Sequence, residues 1–482
     1  MMMSRSSSLL LFFTTIVLVT TTNAQVNKNT QHEFADQVTP LLYANTDTTD
    51  NDCSSAFGIS MAMDLIYPTT RDDSKTQVQE LFGYSDDQSL QWTDTQANLN
   101  SKYLGNCLGS TYYEECSRQP WVMIKNSVWT HNKLDLRSDY NEIVGDFIQS
   151  IDFEDQSAGS HVNEWVKEST EGLIEKLVKE GPLSPWVSLV MNTIYFKASW
   201  RDSFDETKTT RDPFFTADGS TKTADFMHQV THLPHWHHEE MGRQVLELPF
   251  TGSDISMYIS LSTDPRNMLA SKSLVKAIRA GDRFQDDRRV AVALPKFQFF
   301  STYEGDNFID TMKQLGITGP FDGGLCFYDW NDSNECREYI EYMIQKTYIS
   351  IDEDGVEAAA VTAFGIGITS IGTPEIDTPL LFLANRPFQF FIYDKKEDVM
   401  LFEGFVRNPG LVEDDLKNPS SAAISHAASD FWKDNFAGVN PEEVIDGTYR
   451  YDGGGGNSGG QQSHYYSRVL MFLTLAGLWI VL

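Results

Sequence analysis

From Asp352 to Pro379 the chain reads DEDGVEAAAVTAFGIGITSIGTPEIDTP, and no lysine or arginine occurs between Val356 and Leu383. Glu357 and the alanines after it have the composition of a helix. The Ile, Thr and Gly that follow suit a strand or an exposed loop better. Read with a period of two, one face carries Val356, Ala358, Ala360, Thr362, Phe364, Ile366 and Ile368, all apolar or hydroxylic. The other face carries Glu357, Ala359, Val361, Ala363, Gly365 and Gly367, with Glu357 as its only charge. No proline interrupts the stretch before Pro374, so every residue up to there can join a strand ladder. The pattern leaves helix, strand and exposed loop all open, and it fits the segment to join the middle of a sheet as a strand if one is available.

The whole chain has 482 residues, 41% of them hydrophobic, enough to bury a substantial core. Its formal net charge is −31. That excess excludes nucleic acid or heparin as a partner over a broad surface, because a phosphate or sulfate polymer is repelled at long range.

Both ends carry targeting signals. Arg5 precedes an apolar core from Leu9 to Val19, and Thr22-Asn23-Ala24 offers small residues for cleavage before Gln25, so residues 1–24 read as a secretory signal peptide. The expected location is extracellular, where cysteines oxidise. Cys107 and Cys116 are near one another in sequence, as are Cys326 and Cys336, which makes two local disulfides and leaves Cys53 over. Free thiols are the alternative, since spacing alone does not fix pairing. Asn331-Asp332-Ser333 is an acceptor for N-glycosylation inside the second loop. Residues 411–457 form an acidic to glycine-rich stalk. Residues 458–482 combine small residues, a polar spacer and an apolar tail from Val469 to Leu482, the parts of a GPI-attachment signal. Ser458 or Asn457 is the attachment residue. A spanning tail is the competing reading, but the apolar run falls short of the roughly 20 residues a spanning helix needs.

Residues 25–410 read as one mixed α+β domain. His161 to Glu180 has helical periodicity, with Val162, Trp165, Val166, Leu173 and Ile174 on one face. Strand patterns cover Ser188 to Phe196, Gln244 to Phe250, Ser256 to Leu261, Val290 to Phe299 and Phe388 to Phe405. His228, His232, His235, His237 and His238 cluster in MHQVTHLPHWHHEE. Alternation of His235, His237 and Glu239 could serve a metal, but the spacing matches no closed zinc site. The cluster is read as an exposed polar turn in a surface hairpin, with no metal and no cofactor.

Several segments, taken in order, resemble the serpins. VNEWVKESTEGLIEKL is similar to the family's sixth helix, and MNTIYFKASWRDSFDETKT to the strand after it, including Asn192, Lys197, Trp200 and Phe204. LELPFTGSDISMYISL, ALPKFQFFSTYEGDNFIDTMKQLGITGPFD and IDEDGVEAAAVTAF follow, and FLANRPFQFFIYDKKEDVMLFEGFVRNP closes the domain. The resemblance implies three antiparallel or mixed sheets, about eight to nine helices and an exposed reactive loop. It implies a hinge over Gly355, Val356, Glu357, Ala358, Ala359, Ala360, Val361 and Thr362. By that account a protease's serine cleaves the loop and forms an acyl-enzyme ester, and insertion of the loop into the central sheet traps it. The protein would then be a monomeric inhibitor, not an enzyme.

Counting from Gly355, the resemblance places the cut bond at Thr369-Ser370. Counting back from Asn385 shifts it toward Gly372 or Thr373, and bonds next to Ile368 and Ile371 stay open. Each candidate has a small, β-branched or apolar residue before the bond, which excludes a trypsin-like target. An elastase-like or subtilisin-like serine protease fits, with a papain-like cysteine protease as alternative. A non-inhibitory carrier, chaperone or cell-surface binding protein is the rival reading. The region that opens the sheet is expected to include Ser55, Asn192, Trp200 and Gln345. Here the sequence departs from the family: Ala56 stands where a proline is usual, Gly58 replaces a serine, and Gln345 occupies a common histidine position.

Overall fold

The computed structural model describes residues 28–44, 49–84, 120–170, 172–183, 188–238, 242–262, 272–281, 283–285, 289–328, 338–356 and 379–410. Three sheets organise them. The central sheet has the strand order β11 (Phe297–Glu304), β12 (Met343–Ile351), β13 (Gly355–Val356), β4 (Ser188–Ser199), β2 (Trp121–His131) and β3 (Ile148–Ile151). A second six-stranded sheet runs β1 (Asp52–Ser54), β16 (Val399–Val406), β15 (Phe388–Asp394), β9 (Ile255–Ser262), β8 (Arg243–Pro249) and β7 (His235–His238). A four-stranded sheet runs β14 (Leu380–Leu383), β10 (Arg289–Pro295), β6 (Thr221–His232) and β5 (Thr210–Phe215).

Among the described residues there are seven α-helices: α1 (Lys28–Ala44), α2 (Ala56–Ile66), α3 (Asp72–Phe82), α4 (Ser138–Val144), α5 (Ala158–Ser169), α6 (Lys272–Ala280) and α7 (Gly305–Gln314). Every residue of α2 is buried, as its nearly all-apolar sequence requires. It packs against β2, β4 and β16, so the centre of the molecule is a helix held between two sheets. On the other face of the central sheet, α5 and the chain after it cover Trp129, Leu189, Met191 and Ile344.

Two sequence expectations change. The helix expected over His161 to Glu180 stops at Ser169. Gly172 takes φ +86° and its N–H bonds to the Lys167 carbonyl at 2.8 Å, a left-handed stop that reverses the chain. The following segment is strapped back onto α5 by Asn163, whose Oδ1 accepts from Leu177 and Val178 N–H at 2.8 and 3.0 Å. The run Val290 to Phe299 is not one strand but two. It breaks at Lys296, so β10 joins the four-stranded sheet and β11 the central one. Cys326 is buried and disulfide-bonded. Cys107, Cys116, Cys336, Asn331, Asn457, Ser458 and the signal and stalk segments lie outside the described residues.

Helix α1 docks over the β15–β16 hairpin. Tyr43 donates its hydroxyl to the Glu403 carbonyl at 2.6 Å, and Gln389 Nε2 donates to Glu403 Oε1 at 2.6 Å. Burial pushes the Glu403 carboxyl up to about 8 from an ordinary value near 4.5. The folded state therefore holds this proton more tightly than the unfolded chain. The associated stability is complete below about pH 4.5 and is lost as the pH rises through about 8. In calorimetry Glu403→Gln should flatten the fall of Tm across that window and raise Tm at pH 8 by a few degrees, on the order of 2–4 °C. Parallel profiles for both proteins would refute the assignment.

Candidate functional site

Strands β4 and β12 lie side by side in parallel, but only at one end. Met343 to Thr347 pair with Val190 to Ile194. At the other end the strands part, and β13 stands between them, pairing Gly355 with Ser199 and Val356 with both Ala198 and Ile351. The central sheet thus carries a slot that is already entered by two residues, at the point where the strand-competent segment begins.

Glycine is required at the mouth of the slot. Gly355 has φ +145°, and a Cβ there would sit 2.1 Å from the Ala198 carbonyl oxygen. Gly355→Ala should expel β13 from the slot and destabilise the fold by about 1–3 kcal/mol. Chemical denaturation measures this, and an unchanged midpoint would contradict it.

The turn before β13 is gripped residue by residue. Trp200, 1% exposed, donates its indole N–H to the Asp352 carbonyl at 2.9 Å and its backbone N–H to the Asp354 carbonyl at 2.8 Å. It stacks on Phe250 at 4.8 Å. Between these two contacts, Glu353 pairs with Lys296 at 2.9 Å and accepts from the Thr209 hydroxyl. Burial alone would lower the Lys296 ammonium; the Glu353 carboxylate, together with the charges of Asp352 and Asp225, holds Lys296 above its ordinary value.

Further down the slot a chain of amides crosses the closed part. Gln345 Nε2 donates to Asn192 Oδ1 at 2.7 Å and to the Ser55 carbonyl at 3.0 Å, while its Oε1 accepts from Ser55 N–H at 3.0 Å. Asn192 Nδ2 donates onward to Asn126 Oδ1 at 2.9 Å. Ser55 also caps α2, its hydroxyl accepting from Gly58 N–H at 3.0 Å. The departure at Gly58 has a physical reason: a Cβ there would lie 2.5 Å from Ile194 Cδ1 and 2.7 Å from Asn192 Oδ1. Glutamine takes up the cross-strand bond at position 345, and all four amide and serine groups sit in one buried line.

The structure sets Ser55, Asn192 and Gln345 in one hydrogen-bonded group across the closed part of the slot, and Trp200, Gly355 and Val356 at its mouth. Glu357 to Thr373, with every candidate for the cut bond, lie outside the described residues. Sequence reasoning missed Lys296, Glu353 and Asn126. A lysine directly after an apolar ALP run was the available signal for the first.

The histidine cluster is not one surface turn. His228 is 1% exposed within β6, where its Nε2 lies 2.7 Å from the Thr210 hydroxyl, and burial lowers its imidazole to about 4. His235, His237 and His238 lie on β7 in a different sheet. The chain changes sheet at Leu233-Pro234, which separates them from His228. Among the described residues no three metal-binding side chains converge.

The profile of the serpin family (serine protease inhibitor) matches residues 29–409, most of the chain. The chain belongs to the serpin family. An uncharacterized serpin-like protein of Thermococcus kodakarensis is 31% identical over 74% of this serpin and 80% of its own length. The leukocyte elastase inhibitor of Sus scrofa is 27% identical, over 74% of this chain and 92% of its own. Among solved structures, Serpin48 of the insect Tenebrio molitor superposes with a TM-score of 0.64 at 22% identity, covering 80% of this chain and 98% of the insect protein. That likeness confirms the three-sheet serpin fold.

Proposed function

We propose that this serpin is a suicide-substrate inhibitor of a serine endopeptidase of elastase or subtilisin type, which traps its acyl-enzyme by threading the cleaved loop into the slot between β4 and β12. The observation that carries the reading is the register of β13. Continued inward from Val356, it sets Ala358 opposite Phe196 and Ile349, Ala360 opposite Ile194 and Thr347, Thr362 opposite Asn192 and Gln345, and Phe364 opposite Val190 and Met343. Residues directly across a ladder share a face, and all eight of these partners are at most 2% exposed. The uncharged face of the segment thus meets the core. Glu357, the lone charge, falls on the opposite face beside Lys197 and Ser350.

Slot length bears on the cut bond. Ser188, the first residue of β4, stands opposite position 366 in this register. A bond after Ile368 or Thr369 brings the ester to the far edge with little slack. A bond after Gly372 or Thr373 leaves a tether of about 20 Å at roughly 3.3 Å per residue, too loose to pull on the protease. Distortion matters because a triad displaced by about an ångström loses much of its rate, so water no longer releases the ester. The absence of Lys and Arg near the bond keeps trypsin-like pockets empty.

We further propose export through the N-terminal signal, a lipid anchor at the C-terminal tail, and action as a monomer. Mixing the protein with pancreatic elastase and with subtilisin tests the inhibitory reading. A complex that survives SDS, with a released fragment starting at Thr369 or Ser370, is the expected result. Cleavage in the loop without any complex would transfer the protein to the carrier class.

A further inference from the structure

We propose that the Asp352 carboxyl is a pH-operated clasp on β13, holding Gly355 and Val356 in the slot in acid and easing their release as the pH rises. Its geometry is a closed turn. Asp352 Oδ1 accepts from the N–H of Asp354 at 3.0 Å and of Gly355 at 3.1 Å, and Asp352 N–H donates to the Gly355 carbonyl at 2.9 Å. These bonds fix the residue that enters the slot first. The clasp is distinct from the Lys296–Glu353 pair, which grips the next residue from outside the turn.

The electrostatics around the turn give the direction. From its own segment Asp352 faces Glu353 and Asp354. From the break between β10 and β11 it faces Lys296, which is engaged by Glu353. Beyond Lys296, β6 supplies Asp225, paired with Arg211 of β5 at 2.9 Å. The end of β4 offers the Trp200 indole, which carries no charge. Burial, only partly offset by the two N–H bonds, pushes the Asp352 carboxyl up to about 6 from an ordinary 3.8. Once released, the carboxyl returns to water and its ordinary value. The protonated form therefore favours the clasped turn: the advantage is complete below about pH 4, declines as the pH rises to about 6 and is spent above it. Across that window the clasped-to-released ratio falls about a hundredfold.

Hydrogen exchange tests this without any protease, so its outcome is independent of the inhibitory reading. Exchange of the 352–356 and 196–200 amides is measured from pH 4.5 to 7.5, corrected for intrinsic rates, with β15–β16 amides as the control for global folding. Wild-type protection should fall tens of fold to pH 6 and level off above it, while Asp352→Asn keeps the acid level of protection at every pH. Flat wild-type protection would overturn the clasp, and so would an Asp352→Asn variant with the wild-type pH profile. The wild-type profile stands alone if the variant does not fold.

Discussion

If the proposed trap operates, arginine in place of Thr362 should turn the serpin into a substrate that is cut without holding the protease. In the register set by β13, position 362 faces the core between Asn192 and Gln345, which are 2% and 0% exposed. Among the described residues, its cross-strand partners there are the neutral amides Asn192 and Gln345, and burying an unpaired charge costs several kcal/mol. Insertion competes with hydrolysis of the ester, and each 1.4 kcal/mol added to its barrier slows it about tenfold. The partition should move toward hydrolysis by more than about a hundredfold. Titrating a fixed amount of protease reads this directly. Ala359→Arg is the control, because position 359 lies on the outer face beside Tyr348, where the neighbouring Phe300 is 49% exposed. Trapping should survive there. Equal loss in both variants would mean that the loop does not enter in this register.

Removing the amide of Gln345 should have the second largest effect. Gln345→Ala leaves Ser55 N–H and Asn192 Oδ1 buried without the partner they have now, while the Ser55 carbonyl keeps the Ile59 N–H at 3.1 Å. Each loss costs about 1–3 kcal/mol, so a total near 3 kcal/mol is expected even after partial relaxation. Because the same bonds close β4 against β12, the variant should also convert faster, on warming, into a form whose loop resists proteases. Gln345→His, which can still bridge the strands, should retain more of the stability. A Gln345→Ala protein with wild-type unfolding midpoint and conversion rate would show that the amide line does not hold the slot shut.

Much of this was legible in the sequence because strand alternation and buried positions carry it directly. The period-two pattern from Val356 onward is what the proposed strand rests on, and its first two residues, Gly355 and Val356, pair with β4 and β12. The strand pattern expected over Phe388 to Phe405 is found as the paired strands β15 and β16. Other features depend on partners distant in sequence. Pro295-Lys296 is only a weak local mark of the point where one strand run divides between two sheets, since the break is fixed by Glu353 and by the Asp225 carbonyl that Lys296 N–H reaches at 2.7 Å. The helix of His161 to Glu180 keeps its apolar face on paper, yet Gly172 and the Asn163 strap fold its second half back as extended chain. His228 looks like part of a surface cluster because five histidines crowd one stretch, but β6 turns it into the core beside Thr210. In each case a tertiary contact decides between alternatives that local pattern leaves equal.

The central claim is that the segment after Gly355 becomes a strand of the central sheet. Its most direct test is the heat stability of the protein before and after a single cut in the loop. Filling the slot with a full-length strand adds a double ladder and buries the uncharged face, so the cut protein should melt on the order of 10 °C or more above the intact one. A cut protein that melts at the same temperature, or lower, would contradict insertion.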